Sequence, residues 1–162
     1  MRNEAEYEWC FRSSFASVAR TVFLIVHDRG RAEELTQDAF LQLARKWRTV
    51  SEYERPDAWV RRVAIRLAVH DVQRESRRRG KERRALVVAT DRALPDPDVQ
   101  RAVGTLAPMQ RASVVLFYWE DRSVQEIAHI LQVSESTVKQ HLFRARARLA
   151  GILGEEVESD AR

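Results

Sequence analysis

The 162-residue sequence predicts an all-α protein made of two small helical domains joined by a flexible linker. Apolar residues recur at steps of three and four along most of the chain, the signature of one buried helix face. No apolar/polar alternation of period two is present. Between residues 80 and 98 the helical pattern lapses, because Gly80, Pro95 and Pro97 stand among charged groups with only Leu86-Val87-Val88 as an apolar run.

The elements follow in order. Phe15, Val18, Ala19, Val22, Phe23 and Val26 mark the inner face of a first helix ending near His27-Asp28-Arg29-Gly30. A second helix after Gly30 places Thr36, Ala39, Phe40, Leu43, Ala44 and Trp47 on one side, with Glu34, Gln37, Asp38 and Leu41 opposite. Residues 48–55 read as a loop. Pro56 suits a first helical position, and the acidic Asp57 favours that first turn. The helix they open buries Trp59, Val60, Val63, Ala64 and Leu67, leaving Arg62, Arg66, Gln73 and Arg77 on its far face.

The second half holds four shorter segments. Val99, Ala102, Val103 and Leu106 form one helix, and Pro108 opens another containing Ala112, Val115, Leu116 and Trp119. Ser123 and Glu126 fit a capping box ahead of a short helix with Val124, Ile127, Ala128 and Leu131 inside. Gln132-Val133-Ser134 turn the chain, and Ser134 caps a final helix with Val138, Leu142, Ala145 and Leu149 as its buried row. The expected division is therefore residues 1–80, a linker at 81–97, a second domain at 98–153, and a disordered acidic tail at 154–162.

Charge sharpens the reading. The net charge of +4 conceals a segment, 61–84, with ten basic and three acidic groups; residues 101–151 carry seven and four. Arg supplies 25 of the 28 basic residues, and its planar fork suits phosphates and base edges, although a GC-rich genome yields the same bias. No run approaches the roughly 18 apolar residues of a membrane span, and the N-terminus lacks an apolar signal core, so a cytoplasmic protein is expected. Cys10, the single cysteine, reads as a small buried hydrophobe. His27, His70, His129 and His141 lack metal-ligand spacing, and five glycines offer no phosphate-cradling loop. No catalytic residue, metal, cofactor or small-molecule substrate is expected.

Residues 123–149 read as a helix-turn-helix, whose second helix enters the major groove of DNA. Its exposed face offers Glu135, Ser136, Lys139, Gln140, Phe143 and Arg144; Ser136, Lys139 and Gln140 lie early enough to reach base edges, and the later Arg144, Arg146 and Arg148 suit phosphates. An antiparallel helix pair with a solvated basic face fits the same spacing. The basic helix ending in Arg77-Arg78-Arg79 reads either as a second nucleic-acid contact or as a solvated charge run. Loop residues Arg48, Ser51 and Tyr53 either hold an unstacked base or merely connect two helices. The Glu34/Gln37/Asp38/Leu41 face reads as a protein-docking surface or as ordinary solvated helix.

Four stretches in order resemble one family. Ala32-Glu33-Glu34-Leu35-Thr36-Gln37-Asp38-Ala39-Phe40-Leu41-Gln42-Leu43 resembles region 2.2 of the extracytoplasmic-function (group 4) sigma factors of bacterial RNA polymerase, in the sigma-70 superfamily. Pro56-Asp57-Ala58-Trp59-Val60-Arg61-Arg62-Val63-Ala64 resembles the start of their promoter-melting helix, and Leu106-Ala107-Pro108-Met109-Gln110-Arg111 the start of region 4. Glu126-Ile127-Ala128, Val133, Thr137-Val138-Lys139 and Arg144-Ala145-Arg146-Ala147-Arg148-Leu149 resemble region 4.2.

The resemblance implies an alternative sigma factor that binds core RNA polymerase and opens promoters. Glu34, Gln37, Asp38 and Leu41 would dock on the β′ coiled coil. Arg48, Ser51, Tyr53, Arg62, Arg66 and Arg77 would recognise and melt the −10 element. Ser134, Ser136, Thr137, Lys139, Gln140, Phe143, Arg144 and Arg146 would read the −35 element, with region 4 also resting on the β flap and an anti-sigma factor as a further partner. The sequence departs from the family pattern at Ile65-Arg66, at His70-Asp71 (inverted from the usual pair), and at Gln132, where the turn often has Gly. Two other readings compete: a stand-alone helix-turn-helix regulator, and a protein-binding regulator that sequesters polymerase or another sigma factor.

Overall fold

The computed structural model describes residues 2–78 and 96–160, with side chains over 3–78 and 96–154. Residues 81–95 of the expected linker and the last two residues of the tail lie outside the described residues. The elements are α1 (Arg2–Val26), α2 (Arg29–Val50), α3 (Pro56–Arg78), α4 (Pro97–Gly104), α5 (Pro108–Val114) continued by a π-helical turn (Val115–Trp119), α6 (Val124–Leu131) and α7 (Glu135–Asp160). No strand occurs among the described residues.

Contacts divide the chain into Met1–Asp71 and Val72–Arg162. The division falls inside α3 rather than near residue 80: Gly80 marks where the helical pattern stops, whereas contacts mark where packing changes.

In the first unit α1 begins at Arg2, well before Phe15. Tyr7, Phe11 and Phe15 fall four residues apart and extend the inner face toward the N-terminus. Their rings meet Phe40 and Trp47 of α2, with Phe11 edge-on to Phe40 at 5.1 Å and Tyr7 edge-on to Trp47 at 5.4 Å. The Tyr7 hydroxyl donates to the Phe40 carbonyl at 3.1 Å and the Trp47 indole N–H to that of Asn3 at 2.6 Å, so both aromatic polar tips are partnered. By length and composition α1 is apolar enough to cross a membrane over Asn3–Val26. Its apolar face is a core face here: Cys10, Val18, Val22, Leu24 and Ile25 are all buried.

α1 ends sharply. His27 takes φ 54°, and Asp28, in extended conformation, caps α2 by accepting from the Arg31 N–H at 2.9 Å. Gly30 is therefore inside the first turn of α2 rather than in the connection. α2 also runs through Val50, which shortens the loop to 51–55 and puts Arg48 on helix. Ala44, placed on the inner side by the sequence pattern, is exposed.

α3 buries Val60, Val63, Ala64, Ile65, Ala68 and Val69, while Trp59 and Leu67 are only half-buried. Arg61 fastens α3 to α1 by donating to Thr21 Oγ1 at 3.1 Å and Ser17 Oγ at 2.5 Å.

In the second unit α7 packs on α4, α5 and α6. Leu106, Leu116, Ile127, Leu131, Val138, Leu142 and Ala145 form the core. Trp119, expected inside, is 43% exposed. The π turn inserts extra backbone per turn and swings Tyr118 and Trp119 out of the row that buries Val115 and Leu116.

The acidic end differs from expectation as well. α7 continues to Asp160, so residues 154–160 are helical. No proline interrupts them, and extending an existing helix costs far less than nucleating one, so Gly151 and Gly154 are tolerated.

Candidate nucleic-acid interface

α6, the turn and α7 form a helix-turn-helix. Ser123 and Glu126 close the capping box: Glu126 N–H donates to Ser123 Oγ at 3.1 Å, and Ser123 N–H donates to Glu126 Oε2 at 2.9 Å. At the other end Gln132 adopts φ 56°, ψ 46°. Its N–H donates to the His129 carbonyl and that of Val133 to the Ala128 carbonyl, the paired bonds of a Schellman ending with Gln where glycine is usual. This left-handed residue aims α7 away from α6.

Ser134 caps α7, accepting from the Thr137 N–H at 3.1 Å and lying 3.0 Å from Ser136 Oγ and 2.8 Å from Thr137 Oγ1. Its hydroxyl is thus committed to holding the helix start. Val138, Leu142 and Ala145 anchor the inner row, which leaves Ser136, Lys139, Gln140, Phe143 and Arg144 together on the outer face. Lys139, Gln140, Phe143 and Arg144 border one shallow open depression, and the Phe143 ring is 73% exposed. Among the described residues neither Lys139 nor Arg144 is ion-paired, so no internal partner must be displaced when a phosphate or base approaches.

Half-buried His141 has its pKa lowered, first by burial and then by Arg144. Its neutral imidazole adds no charge to this face near pH 7. Arg146, one turn after Phe143, differs from Lys139 and Arg144 in being engaged: its Nε donates to the Tyr118 hydroxyl at 2.6 Å.

α3 presents a second basic surface. Arg62, Arg66 and Arg77 are exposed on it, as expected, and His70 and Arg74 are exposed between them. Residues 62, 66, 70 and 74 follow at steps of four, so Arg74, absent from the residues expected on this surface, belongs to the row by spacing alone. At the N-terminus of α3, Arg55 grips Asp57 with two bonds, Nε to Oδ1 at 3.0 Å and Nη2 to Oδ2 at 2.7 Å. That pairing holds the Asp57 carboxyl below its ordinary range. Beside this clamp the Tyr53 ring is 48% exposed, with its N–H turned back to the Val50 carbonyl. Ser51 is half-buried at the end of α2, and Arg48 is exposed one turn earlier.

The outer face of α2 carries Glu33, Glu34, Gln37 and Asp38 around Leu41, itself 53% exposed. Gln37 donates to Glu33 at 3.3 Å and Arg31 to Glu34 at 3.0 Å, so part of the acidic row is internally braced. An exposed leucine at the end of an acidic row, with Asp38 one turn before it and Glu34 a further turn back, offers apolar contact with electrostatic selection for a basic partner.

Known proteins match both halves of the chain. The family model described as sigma-70 region 2 matches residues 11–78, and that described as sigma-70, region 4 matches residues 97–149. The chain is 33% identical over 152 residues to the RNA polymerase sigma-E factor of Streptomyces antibioticus, covering 89% of this chain and 82% of the relative. It is 28% identical over 151 residues to the ECF RNA polymerase sigma factor SigM of Mycobacterium tuberculosis, covering 91% and 77%. The fold resembles that of the sigma factor RpoE from Bartonella quintana, solved with the anti-sigma factor NepR, at TM-score 0.67 and 18% identity over 92% of this chain and 97% of that one. With both regions matched in order and a relative this similar over nearly the whole chain, the protein belongs to the sigma-70 family, as an alternative sigma factor of the extracytoplasmic-function type that directs transcription initiation.

Proposed function

We propose that this chain divides promoter recognition between its two units, with core polymerase holding both. The observation that carries the reading is the outer face of α7, where Lys139 and Arg144, without an ion pair among the described residues, lie together with Ser136, Gln140 and Phe143 behind a capped helix-turn-helix. Lys139, Gln140 and Arg144 read base edges and adjacent phosphates of the −35 element, Phe143 gives apolar contact to a thymine methyl, and Ser136 and Thr137 flank the helix start.

Arg62, Arg66, Arg74 and Arg77 track the backbone at the −10 element. Tyr53, with Ser51 and Arg48 nearby, stacks on a base drawn from the non-template strand; stacking of about 1–3 kcal/mol per base offsets part of the unpairing cost. Glu34, Gln37, Asp38 and Leu41 dock on the β′ coiled coil, and the second unit rests on the β flap. An anti-sigma factor that covers these faces is the inhibitory partner this reading admits.

The functional division in this reading is 1–80 for core polymerase and the −10 element, 81–97 as connector and 98–153 for the −35 element, with 154–162 outside both. No step calls for a catalytic group, since binding energy alone opens the duplex. The site of action is the cytoplasm, where polymerase and promoter DNA are found.

Run-off transcription with core enzyme and a genomic promoter library tests the proposal. Promoter-dependent products are expected only when the chain is added. Absence of any such product, or a palindromic footprint on duplex DNA without polymerase, would overturn it.

A further inference from the structure

The π turn and Arg146 form a device that the promoter-reading face alone does not explain. Glu120 N–H bonds the Val115 carbonyl at 3.1 Å, closing the widened turn, and Tyr118 is thereby presented at the surface, 53% exposed. Its hydroxyl accepts from Arg146 Nε at 2.6 Å across 28 residues of sequence. The Arg146 guanidinium carbon lies 5.5 Å from the ring centres of both Phe117 and Tyr118, which meet edge-on at 4.9 Å.

Arg146 is therefore held by its inner edge and ring contacts, while no described residue takes Nη1 or Nη2. Those two nitrogens are the fork that binds a phosphate in two-pronged fashion. Arg146 also lies seven residues after Lys139, so both stand on one side of α7 within about 20° and roughly 10 Å apart along its axis. Together they edge the base-facing row, where a groove wall would pass.

We propose that Tyr118 is a positioning residue that preorients Arg146 to clamp a phosphodiester of the duplex engaged by α7. The ordering of a long side chain is then completed on folding, before DNA arrives. The inference rests on α7 being the DNA-binding helix. It adds a contact that reads no sequence and a role for an aromatic residue outside α7.

The test measures binding of the full chain to a nonspecific 30-base-pair duplex across a sodium chloride series. R146Q, which keeps most of the stem without the charge, should lower the slope of log affinity against log salt by about 1, with affinity down about tenfold. Y118F keeps the ring and every charge; it should lower affinity about threefold with the slope unchanged, and have no further effect in an R146Q background. A merely structural staple would shift the melting temperature in both variants and leave the slope intact, which overturns the proposal. So does a Y118F effect that persists in the R146Q background. The double variant K139A/R144A separates the two levels: if it too leaves duplex affinity unchanged, α7 does not bind DNA and the functional reading fails. If it weakens binding while R146Q does not, only the positioning role fails.

Discussion

Arg31 and Asp71 join the start of α2 to α3, with Nε donating to Oδ1 at 2.6 Å, and the same guanidinium reaches Glu34 at 3.0 Å. Asp71 is the larger cause of the raised Arg31 pKa and is mostly buried, so the α3 contact outweighs the exposed one to Glu34. Replacing Asp71 with Ala should destabilise the first unit by about 1–2 kcal/mol, read as a lower urea midpoint at unchanged slope. The freed Arg31 would then partner Glu34 alone, weakening the acidic face. Core-polymerase affinity should fall along with stability, whereas E34A should lower affinity with stability nearly unchanged.

The turn of the helix-turn-helix stores a local cost. Gln132 sits at φ 56°, a conformation that costs a side-chain-bearing residue about 1 kcal/mol relative to glycine. Q132G relieves it but enlarges the unfolded ensemble, which takes back part of the gain. The expected result is stabilisation by about 0.5 kcal/mol in urea melts, with −35 duplex affinity unchanged because Gln132 is outside the reading face. Destabilisation would mean that the Gln132 side chain contributes a contact worth more than the backbone relief.

Such positions separate what is local in the sequence from what is not. The departure from glycine at 132 is legible because helix start and stop signals bracket it, and the capping box at Ser123 and the cap at Ser134 are patterns confined to a few residues. The outer faces of α2, α3 and α7 follow from helical period alone. The features without such a signature depend on partners far along the chain or on backbone departures from 3.6 residues per turn. The Arg146–Tyr118 bond spans 28 residues, and the π turn that exposes Tyr118 leaves no mark in the apolar spacing. The early start of α1 is hidden for another reason: Tyr7 and Phe11 pack against Trp47 and Phe40, which a one-helix pattern does not show.

A pH dependence follows from the Arg55–Asp57 clamp. Hydrogen bonding to Arg55 is the main cause that lowers the Asp57 pKa. An unfolded Asp titrates near 3.9, so the folded group binds its proton less readily than the unfolded one. Stability from this pair is fully present above about pH 4 and is lost as pH falls through the lower folded value. Asp57 is exposed enough for solvent screening, so D57N should cost under about 1 kcal/mol at pH 7. The difference between wild type and D57N should shrink as pH drops from about 4.5 toward 2.5. An unchanged difference would show that Asp57 acts by helix-start geometry rather than by charge.

The assignment of faces yields a double dissociation. K139A/R144A removes two cations whose side chains are exposed and unpaired, so folding should be nearly unaffected. Loss of one base contact and one phosphate contact should weaken −35-dependent initiation by about 2–4 kcal/mol equivalent, while co-purification with core polymerase persists. The charge reversal E34K/D38K acts on the other partner. It sets a second cation beside Arg31 in place of its acidic neighbour, repels a basic docking surface, and should abolish co-purification while the isolated chain keeps its duplex affinity. If the α7 variant loses core binding, or the α2 variant loses duplex binding instead, the two faces have been assigned to the wrong partners. Loss of both properties in either variant would mean that the faces are not independent, and that polymerase and promoter DNA share one surface.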